Sequence, residues 1–179
     1  MAIEPDTKDW TWVLDKPCDE CGFETSAFPR DQVGRMTREN ASRWRELLVH
    51  PRAKDRPTDD RWSALEYACH VRDVFRLYDE RLEMMLEQDG PHYPNWDQNE
   101  AAVAGRYEAA DPLIVSDEID QAADALATRF DSVGPSQWER TGFRSDGARF
   151  TIESFARYFI HDPIHHVDDV EKGYALLER

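Results

Sequence analysis

A chain of 179 residues, 40% of them hydrophobic and six of them Trp, is long enough for one domain with a substantial core. Its formal net charge of −15 leaves none of the clustered Lys and Arg that neutralising phosphates requires, so no nucleic-acid partner is expected. No apolar run reaches the roughly 18 residues a membrane span needs, and "MAIEPDTKDWTW" lacks the basic and apolar regions of a signal peptide, so no membrane partner and a cytoplasmic location are expected.

Three cysteines, Cys18, Cys21 and Cys69, are too few and odd in number for a disulfide framework. Of the 22 basic residues 18 are Arg and 4 are Lys, a bias that GC-rich codons produce and that points to a bacterial source.

Residues 1–29 read as an irregular N-terminal extension, punctuated by Pro5, Pro17, Gly22 and Pro29, with "WTWVL" its strand-like piece. From residue 30 to 179 the periodicity is helical and reads as one domain. "DQVGRMTRENASRWRELLVH" sets Val33, Met36, Trp44, Leu47 and Leu48 at helical spacings, and Pro51 ends the helix. The second helix is capped by Thr58, Asp59 or Asp60 and runs to Gly90. A connection rich in Pro, Trp and Asn follows, with a short helix near Glu100–Tyr107. The third long helix starts at a Ser116 cap and carries an apolar stripe of Ile119, Ala122, Ala123, Leu126 and Phe130. Asp146–Gly147 marks a small hairpin, and the last helix opens at Thr151. Four long helices and no convincing sheet predict an all-α four-helix bundle.

The last helix holds "FIHDPIHHVDDV", with three histidines and three aspartates in twelve residues. At about 100° per residue, with Phe155 set at 0°, the apolar side chains Ile152, Ala156, Phe159, Ile160, Ile164, Val167 and Val170 span roughly 0–180°. On this wheel His166 falls at about 20° and Asp162 at about 340°, while His161 falls at about 240° and His165 at about 280°. Both i,i+4 pairs have ligand spacing, but only Asp162 and His166 face the bundle interior, where such bundles build metal sites. His70 on the second helix shares a face with Tyr67, Val74 and Leu77 and points inward as well. Two imidazoles and a carboxylate suit a divalent ion: Zn²⁺ first, with Ni²⁺ or Fe²⁺ as alternatives. Three protein ligands leave positions open for water or substrate. Pro163 has two readings, a kink within one helix or the first residue of a new helix capped by Asp162.

"WSALEYACHVRDV" resembles the W-x-x-x-E-x-x-x-H pattern of the DinB/YfiT-like superfamily, and "HDPIHHVDDV" resembles that family's H-x-x-H-H-type motif. The resemblance extends from about Asp31 through the last helix and implies a four-helix bundle. It implies His70, Asp162 and His166 as metal ligands, with Asp162 where many members carry His and mycothiol-dependent maleylpyruvate isomerases carry Glu. His161 and His165 remain alternative last-helix ligands. The activities implied are thiol-dependent S-transfer or isomerisation of a small electrophile, with mycothiol or another low-molecular-weight thiol as cofactor. A metal-dependent hydrolase and a non-catalytic stress-response protein binding metal or ligand are the alternatives. The partner expected is a small-molecule substrate, and exposed helix faces leave room for a homodimer.

Cys18-x-x-Cys21 is half a zinc ribbon without a second half; His50 and His92 have no supporting spacing, and either no function or a local structural role is the expectation. Cys69 reads as a small buried residue. Glu66 and Asp73 either orient His70 or serve Arg72 and Arg76. Asp168 and Asp169 read as surface partners of Lys172. Trp96, Tyr93 and Arg106 either line a pocket or cover the core.

Overall fold

The computed structural model describes residues 9–179. Residues 1–8 of the predicted N-terminal extension lie outside them. Helices α1 (Val33–Leu48), α2 (Ala64–Glu87), α4 (Pro112–Asp131) and α5 (Ile152–Leu177) form the bundle, with the short α3 (Gln98–Ala104) in the α2–α4 connection. Both α1 and α2 pack against α4 and α5, so the order around the bundle is α1–α4–α2–α5. This order makes α2 and α5 neighbours, which decides where the chemistry sits. Trp44, Leu65, Phe75, Leu82, Ile119, Leu126, Phe155, Phe159 and Ile160 fill the core.

The sequence signals for helix starts are displaced in two places. α2 is capped by Ser63, not by the 58–60 segment. The Ser63 hydroxyl accepts from Glu66 N at 3.2 Å and the Glu66 carboxylate accepts from Ser63 N at 2.9 Å. This reciprocal pair satisfies two amide donors at once. α4 begins earlier than predicted, because Asp111 accepts from Leu113 N and Ile114 N while Pro112 takes the first helical position. Ser116 is buried inside that helix. "WTWVL" forms a 3-10 turn, not a strand, with Asp9 accepting from Thr11 N.

A small sheet also departs from the all-helical reading. β1 (His92–Tyr93) pairs in parallel with β2 (Thr141–Arg144), and β2 pairs antiparallel with β3 (Arg149–Thr151). The β2–β3 hairpin turns around Asp146–Gly147, as its sequence predicts. Strands this short carry too little alternation to be seen as a sheet.

α5 is one unbroken helix from its Thr151 cap through Pro163. Asp162 is therefore not an N-cap, and its carboxylate is not occupied by backbone amides. The Pro163 carbonyl accepts from Asn40 Nδ2 at 3.0 Å, and Asn40 Oδ1 accepts from Trp44 Nε1 at 2.9 Å. This buried chain ties α1 to α5 beside the proline. On the opposite side, Gly34 lets α1 approach α4: a Cβ there would lie 2.9 Å from Ala127 O.

Ser63→Ala removes the acceptor of the capping box and is expected to lower unfolding stability by about 1 kcal/mol, read from urea denaturation followed by circular dichroism. A midpoint equal to wild type would show that α2 does not depend on this cap.

Candidate metal centre

His70 projects from α2 toward α5, and Asp162 and His166 project from α5 toward α2. Their donor atoms all lie within 4.8 Å of one another. Asp162 Oδ1 is 3.4 Å from His70 Nε2 and 3.8 Å from His166 Nε2. Ligand atoms bound tetrahedrally at ordinary zinc distances are about 3.4 Å apart, so the three donors are spaced as a common ion would hold them.

His70 is 1% exposed, and neither of its ring nitrogens has a hydrogen-bond partner among the described residues. The same is true of Asp162 Oδ1. Buried polar atoms are almost always satisfied, and leaving them unpaired costs about 1–3 kcal/mol each. His70 Nε2 and Asp162 Oδ1 face each other at ion-pair distance without hydrogen-bond geometry, with His166 Nε2 alongside, as donors around a shared ligand would be spaced. The donor set suits a divalent cation.

Aromatic rings enclose the group. Trp96 stacks on His70 at 5.4 Å, Trp62 lies 5.5 Å from it on another side, and Tyr67 lies 4.9 Å from His166. Burial pushes the His70 pKa down, against the pull of Asp162, so its imidazole is neutral and able to donate a lone pair. Burial opposes ionisation of Asp162, but the adjoining His166 and His70 outweigh it and hold the carboxyl well below the usual carboxylate range.

Asp169 does not lie at the surface beside Lys172 as its spacing suggests. Its Oδ2 is 2.9 Å from His166 Nδ1. That contact fixes the tautomer and leaves the His166 Nε2 lone pair facing Asp162 and His70. The sequence signal is the i,i+3 spacing of His166 and Asp169, obscured by Lys172, which pairs with Asp168 instead at 2.6 Å. Glu66 and Asp73 do not orient His70. Glu66 serves the α2 cap and Arg56, while Asp73 pairs with Arg72 and accepts from the Tyr107 hydroxyl at 2.5 Å.

His161 and His165 lie outside this group. They also lie outside the apolar arc of α5, yet both are buried, because the 10–29 segment covers that side of the helix. Cys18 Sγ is 3.7 Å from His165 Nδ1, and Cys21 Sγ is 3.7 Å from His161 Nε2. His50 packs on Tyr174 and His92 on Phe143, and neither belongs to the group around the cysteines. Cys69 is fully buried.

The His70 group opens onto a cavity of about 1160 Å³ bounded by described residues of α2, α5, the 95–97 loop, the start of α3, the β2–β3 hairpin and the N-terminal segment. Trp96 lines it, together with Tyr158, Arg81, Arg144 and Arg149. Tyr93 belongs to the core instead, and Arg106 is exposed away from the cavity.

A four-helix bundle in this order carries an inward His–Asp–His group, a candidate metal centre, between its second and last long helices. The sequence model of the DinB superfamily matches residues 35–170, and the chain belongs to that superfamily. Among solved structures it is similar to YfiT from Bacillus subtilis, described as a probable metal-dependent hydrolase with an unusual four-helix bundle topology. That match has a TM-score of 0.77 at 12% identity, over 86% of this chain and 91% of YfiT. It is also similar to a mutant of mycothiol-dependent maleylpyruvate isomerase, with a TM-score of 0.63 at 8% identity over 82% of this chain and 62% of that one. No curated protein matches the chain in sequence. Among the described residues no helix is long and apolar enough to cross a membrane.

If His70 Nε2 is placed for a cation, His70→Leu should stabilise the chelator-treated protein by roughly 1–2 kcal/mol in denaturant unfolding, since an apolar side chain of similar size removes buried ring nitrogens that lack hydrogen bonds. A loss of stability would instead mark His70 as a satisfied core histidine.

Proposed function

We propose that this chain is a divalent-metal enzyme, with His70, Asp162 and His166 as the protein ligands and Zn²⁺ as the favoured ion, that transfers a low-molecular-weight thiol of the mycothiol type to a small electrophile or uses it to isomerise one. The observation that carries the reading is the convergence of His70 Nε2, His166 Nε2 and Asp162 Oδ1 beside an open cavity, with Asp162 Oδ1 3.4 and 3.8 Å from the two imidazoles. A cation held there supplies Lewis acidity, lowering the pKa of a thiol or water and polarising a carbonyl.

The chain's own residues do the rest. Asp169 holds the proton on His166 Nδ1, and His70 stays neutral through burial. Trp62 and Trp96 pack against the His70 ring. Arg144 and Arg149 on the hairpin and Arg81 on α2 face the cavity, where they can bind carboxylates of a thiol or an electrophile. Burial pushes the Arg81 pKa down against the pull of Tyr78 and Tyr93, while its Nη2 donates to Pro94 O at 2.6 Å.

The cavity, about 1160 Å³, lies just above the range of about 300–1,000 Å³ usual for small-molecule sites and has room for a small electrophile. Hydrolysis is the second reading, favoured by the two-imidazole, one-carboxylate donor set, which zinc hydrolases also use with water in the open position. Both reactions would share the same ligands and differ in the nucleophile.

His70→Ala and His166→Ala are each expected to lose one equivalent of bound metal per chain by elemental analysis, and an unchanged metal content in both would sink the reading. Asp169→Asn is expected to weaken metal binding by about 10–100-fold, measured by competition with a chromogenic chelator. Turnover of reactive electrophiles only when mycothiol is added supports transfer; turnover without thiol supports hydrolysis; metal binding with neither supports a non-catalytic role.

A further inference from the structure

We propose that Cys18, Cys21, His161 and His165 form a second, structural zinc site that fastens the N-terminal segment to α5 and so builds one wall of the cavity. It rests on different residues from the His70 group and stands whether or not that group is catalytic.

Two cysteines and two histidines present donor atoms within 4.8 Å of one another. In a tetrahedral zinc site with ordinary bond lengths a sulfur and a nitrogen lie about 3.6 Å apart. Here Cys18 Sγ to His165 Nδ1 and Cys21 Sγ to His161 Nε2 are both 3.7 Å. Sulfur and imidazole donors select zinc over magnesium or calcium. Four protein ligands close the coordination sphere, which is the structural rather than the catalytic arrangement.

Each half is shaped for this. The cysteine half is a tight turn: Gly22 N donates to Cys18 O at 2.8 Å and Cys18 N donates to Phe23 O at 2.9 Å. Gly22 sits at φ +74° with no atom within 4 Å of where a Cβ would be, so backbone conformation and not space requires glycine there. The turn brings both sulfurs to one side. The histidine half is an i,i+4 pair on α5, in which the neighbours three and four apart share a face. His165 Nε2, the nitrogen turned away from Cys18, lies 3.6 Å from Asp169 and 3.7 Å from Glu20. Carboxylates in that position orient a metal-bound imidazole.

Burial and charge agree. Cys18, His161 and His165 are 2%, 4% and 6% exposed. Two thiolates would be costly there unpaired, but with a divalent cation and two neutral imidazoles the group is neutral. All three cysteines are free, so no disulfide competes for the pair.

The consequence reaches the cavity. Trp10 packs 5.1 Å from His165 and 5.7 Å from His161, and Trp10, Thr11, Leu14 and Glu20 line the cavity. A zinc bond between residues 18 and 165 holds this wall in place against α5.

Full-length protein purified under reducing conditions and loaded with zinc is expected to carry two zinc ions per chain, Cys18→Ser one, and His70→Ala one. Cobalt(II) substitution should give wild type an intense near-ultraviolet thiolate-to-cobalt absorption that Cys18→Ser loses and His70→Ala keeps. Should the cysteine variant fail to fold, titration of wild type and His70→Ala with a mercurial is expected to release one zinc as two thiols react. Reduced wild type without the thiolate absorption, or an absorption that persists in folded Cys18→Ser, overturns the proposal. An absorption that behaves as expected while His70→Ala retains all its metal would overturn only the function proposed for the His70 group.

Discussion

α5 turns about 100° per residue, and because it runs unbroken through Pro163 it cannot aim His161, Asp162, His165 and His166 at one point. They divide into two i,i+4 pairs on adjacent faces. Asp162 and His166 look across to α2, while His161 and His165 look out to the N-terminal segment. Had the helix restarted at Pro163, Asp162 would have been spent on backbone amides, and the first pair would not exist. Continuity of this single helix is what allows one turn to face two groups of partners. Asn40, bonded to the Pro163 carbonyl, anchors it at that point.

The second constraint is the order of helices. α2 and α5 are neighbours because α1 and α4 occupy the other positions of the bundle, and ion pairs reinforce that order. Arg38 on α1 reaches Asp124 and Asp131 on α4, while Arg129 on α4 reaches Asp79 and Glu83 on α2. Exposed pairs of this kind contribute little individually, about 0.2–1 kcal/mol, so apolar burial carries the stability and the pairs refine the register. That register sets His70 against Asp162 with unpaired atoms at 3.4 Å.

Asp169 links the two groups. It bonds His166 Nδ1 at 2.9 Å and lies 3.6 Å from His165 Nε2. Burial opposes its ionisation, but the His166 hydrogen bond and both histidines hold its pKa below the ordinary value. One carboxylate therefore bears on the orientation of an imidazole in each group.

Local rules were enough to read the helical class, the long amphipathic helices and the inward direction of His70, Asp162 and His166, because helical period alone decides which side chains share a face. They also located the hairpin turn. They misplaced the starts of α2 and α4, where several Ser, Thr and Asp residues compete for the cap and packing selects one. The sequence could not show that Asp169 turns inward, since its spacing to Lys172 and to His166 is equally helical. Nor could it pair Cys18 and Cys21 with His161 and His165, which lie about 140 residues away along the chain. No local periodicity carries contacts of that range. Only the folding of the N-terminal segment back onto α5 brings those four side chains together, and it does so on the face of the helix that the bundle leaves uncovered.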